Sequence, residues 1–165
     1  MEQSMNELLS KLSSYNVFNY LLPGIVFAVL AGEIIHYPIV QADILTGVFL
    51  YYFVGLVVSR FGSLIVEPLL KGLSFVEFAD YKDFVSVSKK DSQLEVLSEV
   101  NNTYRTLASL FCLLLLLKLY MKLEGKFPYL KGWDATILAV LLLVMFLFSY
   151  RKQTSYITKR IKANG

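Results

Sequence analysis

Four runs of apolar residues, at 17–36, 44–58, 106–123 and 133–150, decide what this chain can fold into. A helix rises about 1.5 Å per residue, so roughly 20 residues cover the hydrocarbon core of a bilayer. The runs approach that length, and the second carries on past Arg60. With 56% hydrophobic and 18% charged residues and a mean hydropathy of +0.55, the 165-residue chain is more apolar than a water-soluble core of this size requires. The sequence therefore predicts an all-α integral membrane protein with four transmembrane helices. Its second and third helices are expected to be long and to extend into the cytoplasm.

Basic residues set the orientation. Of the 16 Lys and Arg, 12 fall before the first run, between the second and third, and after the fourth, against 4 in the two other segments. By the positive-inside tendency both termini are expected to be cytoplasmic. Arg151, Lys152, Lys159, Arg160 and Lys162 crowd the final fifteen positions, where no acid occurs, which suits an anionic lipid surface. Lys118 lies inside the third run and must snorkel outward or face a partner. The expected organisation is an amphipathic segment at 1–16, a transmembrane hairpin at 17–62, a cytoplasmic helical segment at 63–105, a second hairpin at 106–150 and a basic tail at 151–165.

The first run competes with a cleavable signal peptide, since Ala31 offers a small residue for cleavage. Glu2 and Glu7 against a lone Lys11 do not make the basic start that such a peptide needs. The 4–7 stretch, SMNE, has capping-box spacing, and Leu8, Leu9 and Leu12 follow at helical intervals. A short helix lying on the cytoplasmic surface is expected there.

Small residues mark packing faces. Gly24, Ala28 and Gly32 recur every four residues in the first run, and Gly47, Gly55, Ser59 and Ser63 form a stripe in the second. Such spacing lets helix backbones approach closely, either within one chain or between copies. Pro23 removes a backbone hydrogen bond above Asn19, predicting a kink that the Asn19 side chain helps to satisfy. Asp43 is a plausible N-cap for the second helix.

Arg60 and Glu67 stand seven residues apart, nearly one azimuth of a helix, with Gly62 and Ser63 between them. They read as a structural ion pair or headgroup anchor at the inner boundary. Glu67–Pro68 disfavours a helical residue at 67, so the second helix is expected to bend or end there, making a hinge. Beyond it Phe75, Phe78, Tyr81 and Phe84 recur every three residues, an aromatic stripe if helical, to be covered by lipid, by the protein's own helices or by a partner. The SQLE stretch at 92–95 again has capping-box spacing. With no Gly or Pro between Asp91 and Glu124, one helix of about 30 residues is expected to enter the third span and to stop at Gly125. Asn101, Asn102, Tyr104 and Arg105 form a polar collar where it enters, and Arg105 is placed to meet a lipid phosphate or Glu67. The NNT triplet at 101–103 matches a glycosylation sequon that has no meaning on the cytoplasmic side.

Chemical machinery is sparse. One His and one Cys leave no disulfide within the chain and no HExxH, CxxC, GxSxG or phosphate-loop motif, so no catalytic residue, metal or cofactor is expected. Glu33 and His36, one turn apart at the outer end of the first run, are the remaining candidates for proton movement. Basic residues that are juxtamembrane or mixed with acids do not suit direct nucleic-acid binding.

Four spans, short outer loops, a helical cytoplasmic segment and a basic tail resemble the small multi-pass membrane subunits of bacterial anti-phage defence systems. The membrane component of the Kiwa type is the nearest candidate, beside transmembrane proteins of CBASS, retron and CRISPR systems. The resemblance spans the full length and rests on architecture. It implies a non-enzymatic homo-oligomer of the bacterial inner membrane that senses infection or perturbs the bilayer with a cytosolic partner that handles nucleic acid or a nucleotide signal. On this reading Gly24, Ala28, Gly32, Gly55, Ser59 and Ser63 serve helix packing or oligomer assembly. Arg60, Glu67, Phe78, Tyr81, Phe84, Asn102 and Arg105 face lipid or the partner. A small ion channel or transporter using Glu33, His36 or Arg60 is one alternative. A lipid-modifying membrane enzyme gripping a headgroup with Glu67, Tyr104 and Arg105 is another.

Overall fold

A computed structural model describes residues 16–130 and 132–164. Among these, all regular structure is helical. A π-turn, Val17–Leu21, leads into α1, Leu22–Ile35. Helix α2, Ile44–Phe61, continues through a second π-turn, Gly62–Val66, into α3, Glu67–Gly72. A short α4, Tyr81–Ser88, precedes the long α5, Gln93–Lys126, and a 3-10 turn, Pro128–Leu130, connects to α6, Asp134–Asn164. The surface helix expected around Leu8, Leu9 and Leu12 lies outside the described residues.

Four stretches among the described residues are long and apolar enough to cross a membrane: Val17–Ile35, Ile44–Gly72, Gln93–Lys126 and Asp134–Ala163. Half of the first is buried inside the molecule but only 6% of the last, so α1 is the central helix and α6 the peripheral one. The core follows from that order. Phe27, Ala31 and Ile35 of α1 meet Val58 of α2 and Leu110 and Leu114 of α5. In a bilayer, whose lipid is as apolar as these side chains, an interface of this kind is held by close packing rather than by escape from water.

Two glycines make the closest approach. A Cβ on Gly24 would overlap the Tyr51 carbonyl, and one on Gly55 would overlap the Tyr20 carbonyl, so each helix lays backbone on the other where the side chain is missing. Ala28, one turn beyond Gly24 on α1, is wholly buried. Gly32 is different, because nothing lies within 4 Å of where its Cβ would stand. The packing face of α1 runs instead through Ala28 and Ala31 to Ile35, and Gly32 has turned off it.

Both prolines are accommodated in the same way, by a widened turn just before them. Leu22 N–H bonds Val17 O, and Glu67 N–H bonds Gly62 O; these five-residue closures end one residue before Pro23 and Pro68. A proline ring in a regular helix collides with the carbonyl four residues back. Widening the preceding turn by one residue relieves that clash without ending the helix. Glu67 accordingly keeps helical angles (φ −60°, ψ −50°), and the helix runs on to Gly72 instead of stopping. Asn19, expected to satisfy groups freed by Pro23, is buried with neither its amide nitrogen nor its oxygen bonded.

Other boundaries also shift. Asp43 caps α2 as expected, accepting the Thr46 N–H at 2.7 Å. At α5 the cap is Asp91, whose Oδ1 accepts the Gln93 N–H at 2.9 Å, while Ser92 makes no capping bond. Gly125 does not stop α5, which runs to Lys126. The aromatic stripe is not one helical face, since Phe75 and Phe78 precede α4 in irregular chain and only Tyr81 and Phe84 are on it. The basic tail is no separate segment: α6 continues through Arg151 and Lys152 to Asn164 without a break.

Candidate functional site

The most organised polar feature is built around Glu67. Gly62, one turn earlier, leaves space that the Ser109 hydroxyl and the Arg105 stem occupy, so α5 comes close to α2 at this level. Arg105 then donates from Nη1 to Glu67 Oε2 at 2.7 Å. Lys71, one turn along the same helix, and Lys152 of α6 both place Nζ 3.5 Å from Oε1. Lys152 also donates to Ser63, at 2.6 Å to its carbonyl and 2.8 Å to its hydroxyl. Glu67 is only 7% exposed, and a carboxylate that buried must be paired and hydrogen-bonded to keep its charge. One carboxylate thus joins α3, α5 and α6.

Aromatic rings close the cluster. Lys71 Nζ sits 3.9 Å from the centroid of the Phe78 ring, and Lys152 Nζ is 5.8 Å from that of Tyr156. Tyr156 in turn packs on Tyr81 of α4 with centroids 6.3 Å apart. Cations over ring faces gain from the ring quadrupole, so Phe78 and Tyr81 extend the same site. Phe84 is half-buried on α4.

Above the cluster runs a seam of small hydroxyls. Ser59, Ser63, Thr106 and Ser109 are all buried. Thr106 donates to the Asn102 carbonyl at 2.8 Å, Ser109 to the Arg105 carbonyl at 2.6 Å, and Thr106 and Ser59 oxygens approach to 3.4 Å. Bonding to their own helix lets the Thr106 and Ser109 hydroxyls enter an apolar interface without a lost partner. Ser149, one turn before Lys152, is also buried, with its hydroxyl unbonded.

The pairing differs from the one first drawn. Arg60 makes no ion pair or hydrogen bond with a described residue, because the π-turn between 60 and 67 adds a residue per turn and moves Glu67 off the azimuth that seven α-helical steps would give. Arg105 takes its place, one of the two partners that the sequence offered it. Lys71 was legible as a partner at i, i+4, whereas Lys152 carries no local signal. Glu33 and His36 stand exposed at the end of α1, and the His36 left-handed cap (φ 54°) turns the chain out of the helix. At that same end Tyr120 donates to Asp134 at 2.6 Å, tying α5 to α6, and the Gln41 N–H donates to the Tyr51 hydroxyl at 2.9 Å, tying down the 36–43 loop.

A cleft of about 310 Å³ opens between Phe18 and Asn19 on one side and Val96, Val100, Thr103 and Tyr104 of α5 on the other. Among the described residues no group of three or more His, Cys, Asp or Glu is placed to hold a metal ion. In comparisons with known proteins the chain matches no family model, no curated protein and no solved structure.

Proposed function

We propose that the chain is a non-enzymatic, oligomeric component of a bacterial inner membrane that acts in anti-phage defence by docking a cytosolic partner. The four long apolar stretches are its spans, and both termini lie on the cytoplasmic side, as the distribution of Lys and Arg favours.

The observation that carries the partner is on α5. Its 34 residues reach about 50 Å, some 20 Å more than a bilayer core needs. The excess lies before Thr106, and there Val96, Leu97, Val100 and Tyr104 are 59%, 62%, 42% and 68% exposed. Lipid tails cannot cover side chains that project beyond the bilayer. Val96, Val100 and Tyr104 follow one another at four-residue steps along the wall of the cleft, the arrangement by which a helix presents anchors to another protein.

The test combines phage plating with crosslinking in a bacterial host that expresses the full locus. Val100→Asp and Tyr104→Ala should abolish protection and the crosslink to the partner while the protein stays in the membrane fraction. A monomeric species without a partner that still protects overturns the reading.

A further inference from the structure

The cluster around Glu67 holds more positive charge than its one carboxylate neutralises. Lys71, Arg105 and Lys152 all lie within 3.5 Å of it, which leaves a formal surplus of two positive charges. Lys152 has spent its three N–H groups on Glu67, the Ser63 carbonyl and the Ser63 hydroxyl. The other two cations are less committed. Lys71 keeps 43% of its side chain exposed and meets Glu67 only at 3.5 Å, and Arg105 has a buried Nε without a partner. Uncompensated like charges beside apolar surface repel strongly, because little water is present to screen them. An anion seated at this corner would remove that repulsion and use the free donors.

The surroundings select the kind of anion. Phe78 is 52% exposed beside the Lys71 ammonium, and Leu69 of α3 and Leu73 at its C-terminal end are 60% and 69% exposed. Cationic donors next to apolar side chains match a molecule that has both a phosphate and acyl chains. A zwitterionic headgroup brings its own cation against the surplus, whereas an anionic one does not. We propose that Lys71 and Arg105 bind the phosphate of an anionic phospholipid, with its acyl chains lying against Phe78 and the apolar face of α3. Seated there, the lipid completes the charge balance of the joint between α3, α5 and α6. The proposal rests on the membrane reading above.

Native mass spectrometry of the full chain, released from detergent with dioleoyl phosphatidylglycerol, dioleoyl phosphatidylcholine or inorganic phosphate, tests it. Phosphatidylglycerol should remain bound in preference to phosphatidylcholine. Lys71→Gln should lower its retention about fivefold, the usual weight of one basic residue at an anionic surface. Lys71→Arg should retain it, and Lys90→Gln, which removes an exposed charge beyond α4, should change nothing. Equal losses in the Lys71→Gln and Lys90→Gln proteins would mean diffuse attraction and overturn the site. Inorganic phosphate displacing the lipid at equal concentration would overturn the lipid as its occupant. Extraction from membranes by alkaline carbonate separates the two levels: a carbonate-resistant protein with no lipid preference refutes this inference alone, and a soluble one refutes the membrane reading with it.

Discussion

Gly24 and Gly55 are the residues at which the least change has the greatest effect. Each occupies a point where a single methyl group would overlap the carbonyl of the facing helix. Gly24→Ala or Gly55→Ala must push α1 and α2 apart, at a cost of about 2 kcal/mol or more, as overpacking generally does. Gly32→Ala meets open space and should be neutral or slightly stabilising, since Ala is the better helix former. Thermal unfolding of the three variants in one detergent checks this, and equal midpoints would remove the close approach. The four-residue spacing of small side chains made all three look alike. Which of them touches a backbone depends on where α1 crosses α2, and that crossing is not encoded in the spacing.

At the scale of elements, the cap at Asp43 follows local chemistry and the passage of a helix through proline does not. Asp43 caps α2 because its carboxylate reaches the Thr46 N–H across one turn. Hydrogen bonds from the Thr46 side chain and backbone hold the Asp43 carboxyl below the usual aspartate range. A carboxyl whose pKa is lower in the folded state contributes stability above its unfolded pKa and loses it as pH falls through the folded value. The first turn of α2 should therefore fray in acid, below the ordinary aspartate range, before the rest of the helix does. Hydrogen-exchange protection at Thr46 and Gly47, compared in the wild type and Asp43→Ala, measures it; protection independent of pH in the wild type would rule the cap out. The prolines worked against local reading. Pro23 was expected to kink its helix and Pro68 to bend or end the next one, and a π-turn before each carries the helix on through the proline. Whether a helix stops at proline or widens depends on what the continued helix gains, and here it gains the Glu67 contacts.

For the molecule as a whole, α6 is the loosest member. It is almost unburied, and the ties that hold it include the Lys152 bonds, the Tyr120–Asp134 bond at the opposite end, and ring contacts such as Phe53 with Phe146, centroids 6.2 Å apart. Lys152→Ala removes a charged donor with two bonds to Ser63, worth about 2 kcal/mol. In a Cys112→Ser background, Phe53→Cys and Phe146→Cys should crosslink less readily once Lys152→Ala is added. An unchanged yield would mean that α6 is held without the cluster.

The sequence alone determined four long apolar helices, the cap at Asp43 and the uninterrupted run of α5, because hydropathy, capping and propensity act within a few residues. Only the tertiary structure decided that α1 is central, that Gly24 and Gly55 meet backbone, and that Glu67 binds Arg105 and Lys152 rather than Arg60. Those outcomes depend on the rotational register of one helix against another. Each π-turn adds a residue to its turn and rotates everything beyond it by about 100°, so no face drawn before Gly62 could be carried through to Glu67.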